Sequence, residues 1–367
     1  MSDPSGLTAV GGGTGETGGP VPAPSGTGPQ LGGRFQSAAL LRELAEQLGR
    51  LRLGRFSGVY LWALFVLVFA LWIPSTFLSV TTAQTIASQE AIFLILALGV
   101  SVSMSAGQFD LSIGNNMGLG AAICILLLTS GHFAPVPAVA IAILVCVMAG
   151  AVNALLVVVV GIDSFIATLG MSSVLLALTE WATNSQYVGP TKASFSAFVT
   201  WQPLGVPILA VYALVVAILV WYGLEHTPMG RRIYATGANP DTARLSGIPV
   251  RRYIAGSLIF TGLIAGVAAV LVASDLGTVD YSIGQGYLLP TFAACFLSTT
   301  QVKPGRFNVW GVVVSLTLLT TGEKGLILAG APTWITDMFD GVALLAAVGL
   351  AVVFRRRTAA RSAKPPA

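Results

Sequence analysis

The sequence predicts an all-α polytopic membrane protein with about ten transmembrane helices and with both termini in the cytoplasm. Composition, a series of long apolar segments and the placement of basic residues support this prediction. Of 367 residues, 54% are hydrophobic and only 9% are charged, and the mean hydropathy is +0.81. Soluble domains carry about a quarter charged residues. Most of the surface of this chain therefore faces something other than water.

A membrane-spanning helix needs about 20 predominantly apolar residues. Ten segments of this kind are predicted, at residues 58–78, 84–105, 111–130, 135–160, 162–182, 206–223, 251–273, 287–302, 308–328 and 333–353. The segment 287–302 is short, which indicates an interrupted or re-entrant helix.

The basic residues favour one orientation of these spans. Six spans lie between the N-terminus and a polar segment at residues 225–252, and four more precede the run Arg355–Arg357. With the N-terminus inside, every Lys and Arg except Lys192 and Lys324 is cytoplasmic. The net charge of +4 is thus explained by orientation, and nucleic-acid binding is not predicted.

Four regions follow from this reading. Residues 1–33 are rich in Gly, Pro, Ser and Thr and are predicted to be a disordered cytoplasmic tail. Residues 34–57 carry leucines at a spacing of three to four, which predicts an amphipathic juxtamembrane helix on anionic lipid headgroups or, alternatively, a solvated leader. Residues 58–354 form the membrane domain, and residues 355–367 form a basic cytoplasmic tail.

The polar segment 225–252 contains the signals of a very short helix. Asn239 is a good N-cap, and Pro240 suits the first helical position because it needs no N–H partner. Asp241 complements the positive helix end, and Gly247 can adopt the left-handed stop conformation. A helix so well delimited in a basic loop is predicted to contact a soluble partner. An ordinary loop held inside by its charge is the alternative.

A polar interruption at residues 106–116 separates the second and third predicted spans. Such backbone is tolerated at membrane depth only inside protein or beside a cavity. Asp110 and Ser112 are predicted to cap the following helix, and for Asp110 this structural role is favoured. Asn115 and Asn116 offer amides either to a polyhydroxylated solute or to neighbouring helices.

A second interruption precedes the fifth predicted span. Asp163 or Ser164 can cap that helix, and Phe165, Thr168 and Ser172 fall on one face at a spacing of three to four. An aromatic ring beside hydroxyl groups suits a sugar. Ordinary helix packing through Ser and Thr explains the same pattern.

No catalytic residue and no metal site are predicted. The two histidines and three cysteines lack motif spacing, and no GxxxxGK[ST] phosphate loop occurs. The chain is therefore expected to bind no cofactor and to lack an ATPase site of its own. Glu90 and Asp340 are the acidic candidates within the spans, fewer than a proton-coupled carrier would be expected to hold.

Four sequence blocks stand out, at residues 107–114, 164–170, 230–248 and 303–311. In this order they resemble the permease subunit of bacterial ABC sugar importers of the ribose, xylose and galactose type. The chain departs from that family's pattern at Gln108–Phe109, where Gly and Ile are usual, and at Leu297–Thr300, where many members carry a Gly-Gly pair.

The resemblance implies a transporter subunit of the bacterial inner membrane that imports a pentose or hexose. Two permease chains, identical or paralogous, would pair around a central path. Two ATPase subunits would hydrolyse ATP with Mg²⁺, and an extracytoplasmic binding protein would deliver the sugar. In that family the loop matching residues 230–248 holds the coupling helix that the ATPase grips. The residues assigned to coupling here are Gly230, Arg231, Asn239, Pro240, Asp241, Ala243, Arg244 and Gly247.

Three alternatives remain at the level of sequence. A related ABC permease would carry a nucleoside or an amino acid instead. An ion-coupled secondary carrier would work without an ATPase, and a scaffolding membrane protein would transport nothing.

Overall fold

The computed structural model describes residues 53–191 and 193–362, and this part of the chain is built of α-helices. The helices are α1 (Leu53–Trp72), α2 (Pro74–Phe77), α3 (Val80–Ser105), α4 (Ile113–Thr129), α5 (Pro135–Leu155), α6 (Ser164–Thr183), α7 (Ala193–Thr200), α8 (Ile208–His226), α9 (Pro228–Ala238), α10 (Pro240–Leu245), α11 (Val250–Leu276), α12 (Leu288–Ser298), α13 (Val309–Leu328) and α14 (Thr333–Ser362). Over the described ranges, strand-like pairing is limited to one antiparallel bridge between Val188 and Val279. The predicted all-α class is confirmed.

Seven of the described helices are long and apolar enough to cross a membrane, whereas the sequence predicted about ten spans. They are α3, α5 with its π-helical extension to Val160, α6, α8, α11, α13 and the part of α14 up to Val352. α1 and α4 are apolar but shorter. α12 has eleven residues, so it is about 16 Å long against a hydrocarbon core of about 30 Å. The expectation of a short helix at this point is confirmed.

Element ends differ from the predicted ones where proline or a kink intervenes. The first predicted span, 58–78, is divided into two helices. α1 ends at Trp72, and α2 begins at Pro74, because proline has no N–H to continue the helical hydrogen bonds. α1 begins at Leu53 with non-helical backbone at Phe56. Most of the predicted amphipathic helix at 34–57 lies outside the described residues. α14 continues to Ser362, so much of the predicted basic tail is helical.

The centre of the fold is α11, which packs along α3, α4 and α5. Small residues allow this approach: a Cβ on Gly262 would lie 2.6 Å from the carbonyl oxygen of Cys146, and one on Gly150 would lie 2.7 Å from that of Leu258. Close backbone approach is how membrane helices gain packing energy without a hydrophobic force between them. The three cysteines are free and buried.

The two polar interruptions lie side by side. The main-chain N–H of Phe109 donates to Ser164 Oγ (3.1 Å), and that of Leu111 donates to Thr168 Oγ1 (3.0 Å). The α3–α4 connection is therefore held by the first turns of α6. This places both candidate solute segments in one region.

Candidate functional site

The polar segment 225–252 contains two helices rather than the single one predicted. α9 begins at Pro228, and the Oγ1 of Thr227 accepts a hydrogen bond from the N–H of Gly230 (3.2 Å). Sequence reasoning missed α9, although Thr227-Pro228 carries the same N-cap and first-position signals as Asn239-Pro240.

The predicted short helix is confirmed as α10, with both ends as expected. Asn239 Oδ1 accepts from the N–H groups of Asp241 (3.1 Å) and Thr242 (3.0 Å), and proline occupies the first helical position. At the other end Gly247 is left-handed, with φ +79°. The N–H of Ile248 donates a hydrogen bond to the carbonyl oxygen of Ala243 (3.0 Å). These bonds satisfy backbone groups that a helix end leaves free.

α10 exposes nearly all of its surface. Ala243 is buried, but Leu245 is 90% exposed. The side chains of Asp241 and Arg244 are mostly exposed and form a 3.5 Å ion pair, which contributes little to stability in water. The exposed surface of α10 is thus formed by Leu245 and by the charged side chains of Asp241 and Arg244.

α9 is held much more firmly than α10. Gly230 is buried against the backbone of Leu224, whereas Arg231 is exposed. A Cβ on Gly237 would overlap the carbonyl oxygen of Ser105, so α9 touches the end of α3 directly. α10 therefore projects from a helix that is packed on the membrane domain.

An ionic cluster that sequence reasoning missed fixes α9 further. Glu225, whose side chain is only 10% exposed, accepts from Lys303 Nζ and, at 2.8 Å, from Arg306 Nη2. The Arg306 guanidinium lies 4.7 Å from the ring centre of Tyr234 in α9. The Tyr234 hydroxyl donates to the carbonyl of Phe307 (2.8 Å), and burial raises the pKa of this tyrosine. We call Glu225, Tyr234, Lys303 and Arg306 the Glu225 cluster.

Ser112 does not form the predicted cap, whereas Asp110 accepts from a main-chain N–H directly before α4. Asp110 is buried, and its Oδ1 accepts from the N–H (3.1 Å) and the hydroxyl (2.6 Å) of Ser112. The net pKa of Asp110 is raised to about 6, because the effect of burial exceeds the opposite effect of these two hydrogen bonds. Ser112 occupies the N-cap position of α4 with helical backbone, and its side chain bonds Asp110 and Asn153 instead of the free N–H groups. The prediction of a serine cap is wrong for this reason.

The two asparagines of α4 join neighbouring helices. Asn115 Nδ2 donates to the carbonyl (3.0 Å) and the hydroxyl (2.9 Å) of Ser172 in α6. Asn116 is buried, and its Nδ2 donates to the carbonyl of Cys146 in α5 (3.1 Å). These contacts match the packing alternative stated for both residues.

The first turn of α6 separates its two candidate residues. Asp163 caps the helix by accepting from the N–H of Phe165 (3.0 Å), as predicted. Phe165 is 49% exposed and meets Phe109 edge to face at 6.4 Å, whereas Thr168 is fully buried. The ring is thus half exposed, whereas the threonine hydroxyl accepts from the main-chain N–H of Leu111 (3.0 Å).

Glu90 and Asp340 are the acidic residues that the sequence placed within the spans. Glu90 accepts a hydrogen bond from the Thr317 hydroxyl. No group of three or more His, Cys, Asp or Glu side chains suited to a metal ion occurs in the described part of the chain.

Seven of the described helices are long and apolar enough to cross a membrane, and the exposed polar helix α10 lies between two of them, which indicates a multi-pass membrane protein. Residues 82–348 match the family described as "Branched-chain amino acid transport system / permease component", and the chain belongs to this family. It is accordingly a multi-pass protein of the inner membrane.

Curated relatives match over most of their length. The chain is 26% identical over 296 residues to the D-allose transport system permease protein AlsC of Escherichia coli K12, covering 81% of this chain and 91% of that protein. It is 29% identical over 261 residues to the autoinducer 2 import system permease protein LsrD of Escherichia coli K12 and of Shigella flexneri, covering 69% of this chain and 78% of the relative. No solved structure matches the chain significantly.

Proposed function

We propose that this chain is the permease subunit of an ATP-driven ABC importer that carries a monosaccharide across the bacterial inner membrane. The capped and exposed helix α10, mounted on a permease-family membrane domain, is the observation that carries the proposal. The relatives named for D-allose and autoinducer 2 import support a sugar or sugar-like solute.

The proposed arrangement has ten membrane passages, with α12 as the short or re-entrant one, and both termini in the cytoplasm. α1 and α4 complete the set together with the seven long spans. The segment 225–252 is then cytoplasmic, where its arginines satisfy the positive-inside rule.

In this arrangement α10 is the coupling helix of an ATPase subunit that binds and hydrolyses ATP with Mg²⁺. The chain itself carries no phosphate-loop motif. The coupling residues fall into two groups. Asn239, Pro240, Asp241, Ala243, Arg244 and Gly247 form the docking helix and its ends, and Gly230 and Arg231 belong to the support, α9. A second permease chain completes the path, and an extracytoplasmic binding protein supplies the sugar.

Within the path, Phe165 is the predicted residue best placed to contact a solute, because its ring is half exposed. The other proposed path residues act behind it by fixing backbone and helix spacing; they are Asp110, Ser112, Asn115, Asn116 and Thr168.

The second candidate is a permease for an amino acid, which the description of the matched family favours. The chemistry of the binding protein separates the two candidates, since the permease path itself carries few charged groups.

The test is a pull-down of the tagged chain from gently solubilised membranes, followed by identification of the proteins that co-purify. An ATPase together with a binding protein is expected. Thermal shift of that binding protein with D-allose and with leucine then assigns the solute class. Recovery of the chain alone from several detergents would contradict the coupling role of α10.

A further inference from the structure

We propose that Glu225 is a positioning residue through which movement of α10 reaches the α3–α4 connection at residues 106–112. The inference rests on the proposed function, because it assumes that an ATPase moves α10. It concerns a cluster whose members lie far apart in the sequence and outside the docking helix.

The first step joins α9 to the α12–α13 connection. One carboxylate, that of Glu225, binds both Lys303 and Arg306, and the same guanidinium stacks on Tyr234. Because the Glu225 carboxylate is little exposed, loss of either cation would leave its charge less well compensated. The cluster thus links α9, the end of α8 and residues 303–307.

The second step links the Glu225 cluster to the α3–α4 connection through a row of aromatic rings in contact. The Tyr234 hydroxyl holds the carbonyl of Phe307, whose ring lies 6.3 Å from that of Phe296. Phe296 lies 6.4 Å from Phe109, and Phe109 lies 6.4 Å from Phe165. Aromatic pairs at these distances interact favourably and resist independent movement.

The row ends at the two rings that are most exposed, of which Phe165 belongs to the proposed path. Phe109 and Phe165 are 37% and 49% exposed, in contrast to the partly buried Phe296 and Phe307. A backbone contact runs in parallel, since a Cβ on Gly107 would lie 3.2 Å from the Cα of Gly237 in α9. A shift of α9 therefore displaces the exposed ring pair.

The experiment follows this displacement without requiring the transported solute. Gln108→Cys places a thiol in the connection, beside the ring pair, and the three native cysteines are buried and contribute little background. The complex of permease and co-purified ATPase is labelled with maleimide in nanodiscs, with and without ATP and vanadate. We expect the labelling rate to change by about tenfold with nucleotide, and we expect Glu225→Gln and Glu225→Lys to abolish that change while the ATPase still co-purifies.

A charge swap distinguishes the role from simple destabilisation. Glu225→Lys with Lys303→Glu exchanges the charges of the 225–303 pair, and it should restore part of the response that Glu225→Lys alone loses, because position 225 then carries the same charge as Arg306. Glu180→Gln is the matched control, because this exposed glutamate also accepts a hydrogen bond, from Ser185 (3.2 Å), and lies outside the cluster. It should respond as the parent does.

Three results would overturn the inference, and they differ from one another. A normal response in Glu225→Lys would show that movement bypasses the cluster. Loss of the ATPase from the Glu225 variants alone would assign the cluster to docking. Absence of an ATPase from the parent complex would remove the proposed function itself, and the transmission with it.

Discussion

Gly247 shows how one backbone conformation fixes the end of α10. Its φ of +79° is left-handed, and a Cβ built on it would have no heavy atom within 4 Å. A substitution here is therefore unfavourable because of the positive φ and not because of a steric clash, since β-branched residues in particular avoid positive φ. Asn tolerates the left-handed region far better than Val.

This difference predicts opposite outcomes for two substitutions of similar bulk. Gly247→Val should reduce the amount of ATPase recovered with the tagged permease, because the chain can no longer turn after Leu245. Gly247→Asn should retain most of it. The measurement is the ratio of ATPase to permease after affinity purification. Equal recovery with both variants would contradict a role for the left-handed turn.

Single residues also show where sequence reasoning stops. The cap at Asn239 and the stop at Gly247 were predictable because each depends on neighbours within a few positions. Ser112 was predicted as a cap, yet its hydroxyl is taken by Asp110 and Asn153, the latter 41 positions away. Glu225 gave no signal at all, since its partners lie 78 and 81 positions away. Periodicity locates helices but does not pair side chains across them.

At the scale of elements, α10 depends on its ends more than on its length. A six-residue helix is not stable in isolation, because nucleation is costly and few backbone bonds repay it. α10 persists because Asn239 satisfies two free N–H groups, and because α9 and α11 hold the chain on either side. Its stability is thus set largely by the cap.

Asn239→Ala should weaken docking of the ATPase. Loss of an N-cap costs about 1 kcal/mol, which corresponds to about a fivefold loss of affinity if the helix must be formed to bind. Asn239→Asp keeps a cap acceptor and should bind nearly as the parent does. Titration of the purified ATPase onto the permease in nanodiscs measures both values. Identical affinities for the Ala and Asp variants would show that docking does not require the capped helix.

Helices with a long apolar sequence were predicted correctly, whereas a local interruption of a helix was missed. α11 and α13 lie within about three residues of their predicted limits. The first span was predicted as one helix, but Pro74 divides it, and the following residues form a separate turn. α9 was not predicted, because residues 225–238 were interpreted as a loop between spans although Thr227 and Pro228 are typical of a helix start.

At the scale of the whole molecule, the helices differ in how much of their surface the chain covers. α11 and α3 are largely buried, whereas α14 and α6 leave most of their apolar surface exposed. Apolar surface of this extent requires lipid or a second chain. We expect lipid, or the proposed second permease chain, to cover α14 and the part of α6 that follows its first turn.

The proposed orientation is tested by two engineered thiols, one on each side of the membrane. Met229 in α9 is 55% exposed and Tyr187, after α6, is 78% exposed. If ten passages separate two cytoplasmic termini, Tyr187→Cys should react with an impermeant maleimide on intact spheroplasts, and Met229→Cys should react only after permeabilisation. The buried native cysteines make the unsubstituted chain a suitable blank. Reaction of both thiols from outside would mean that an even number of passages lies between residues 187 and 229. The cytoplasmic assignment of α10 would then fail, because α9 and α10 are consecutive and joined at Asn239.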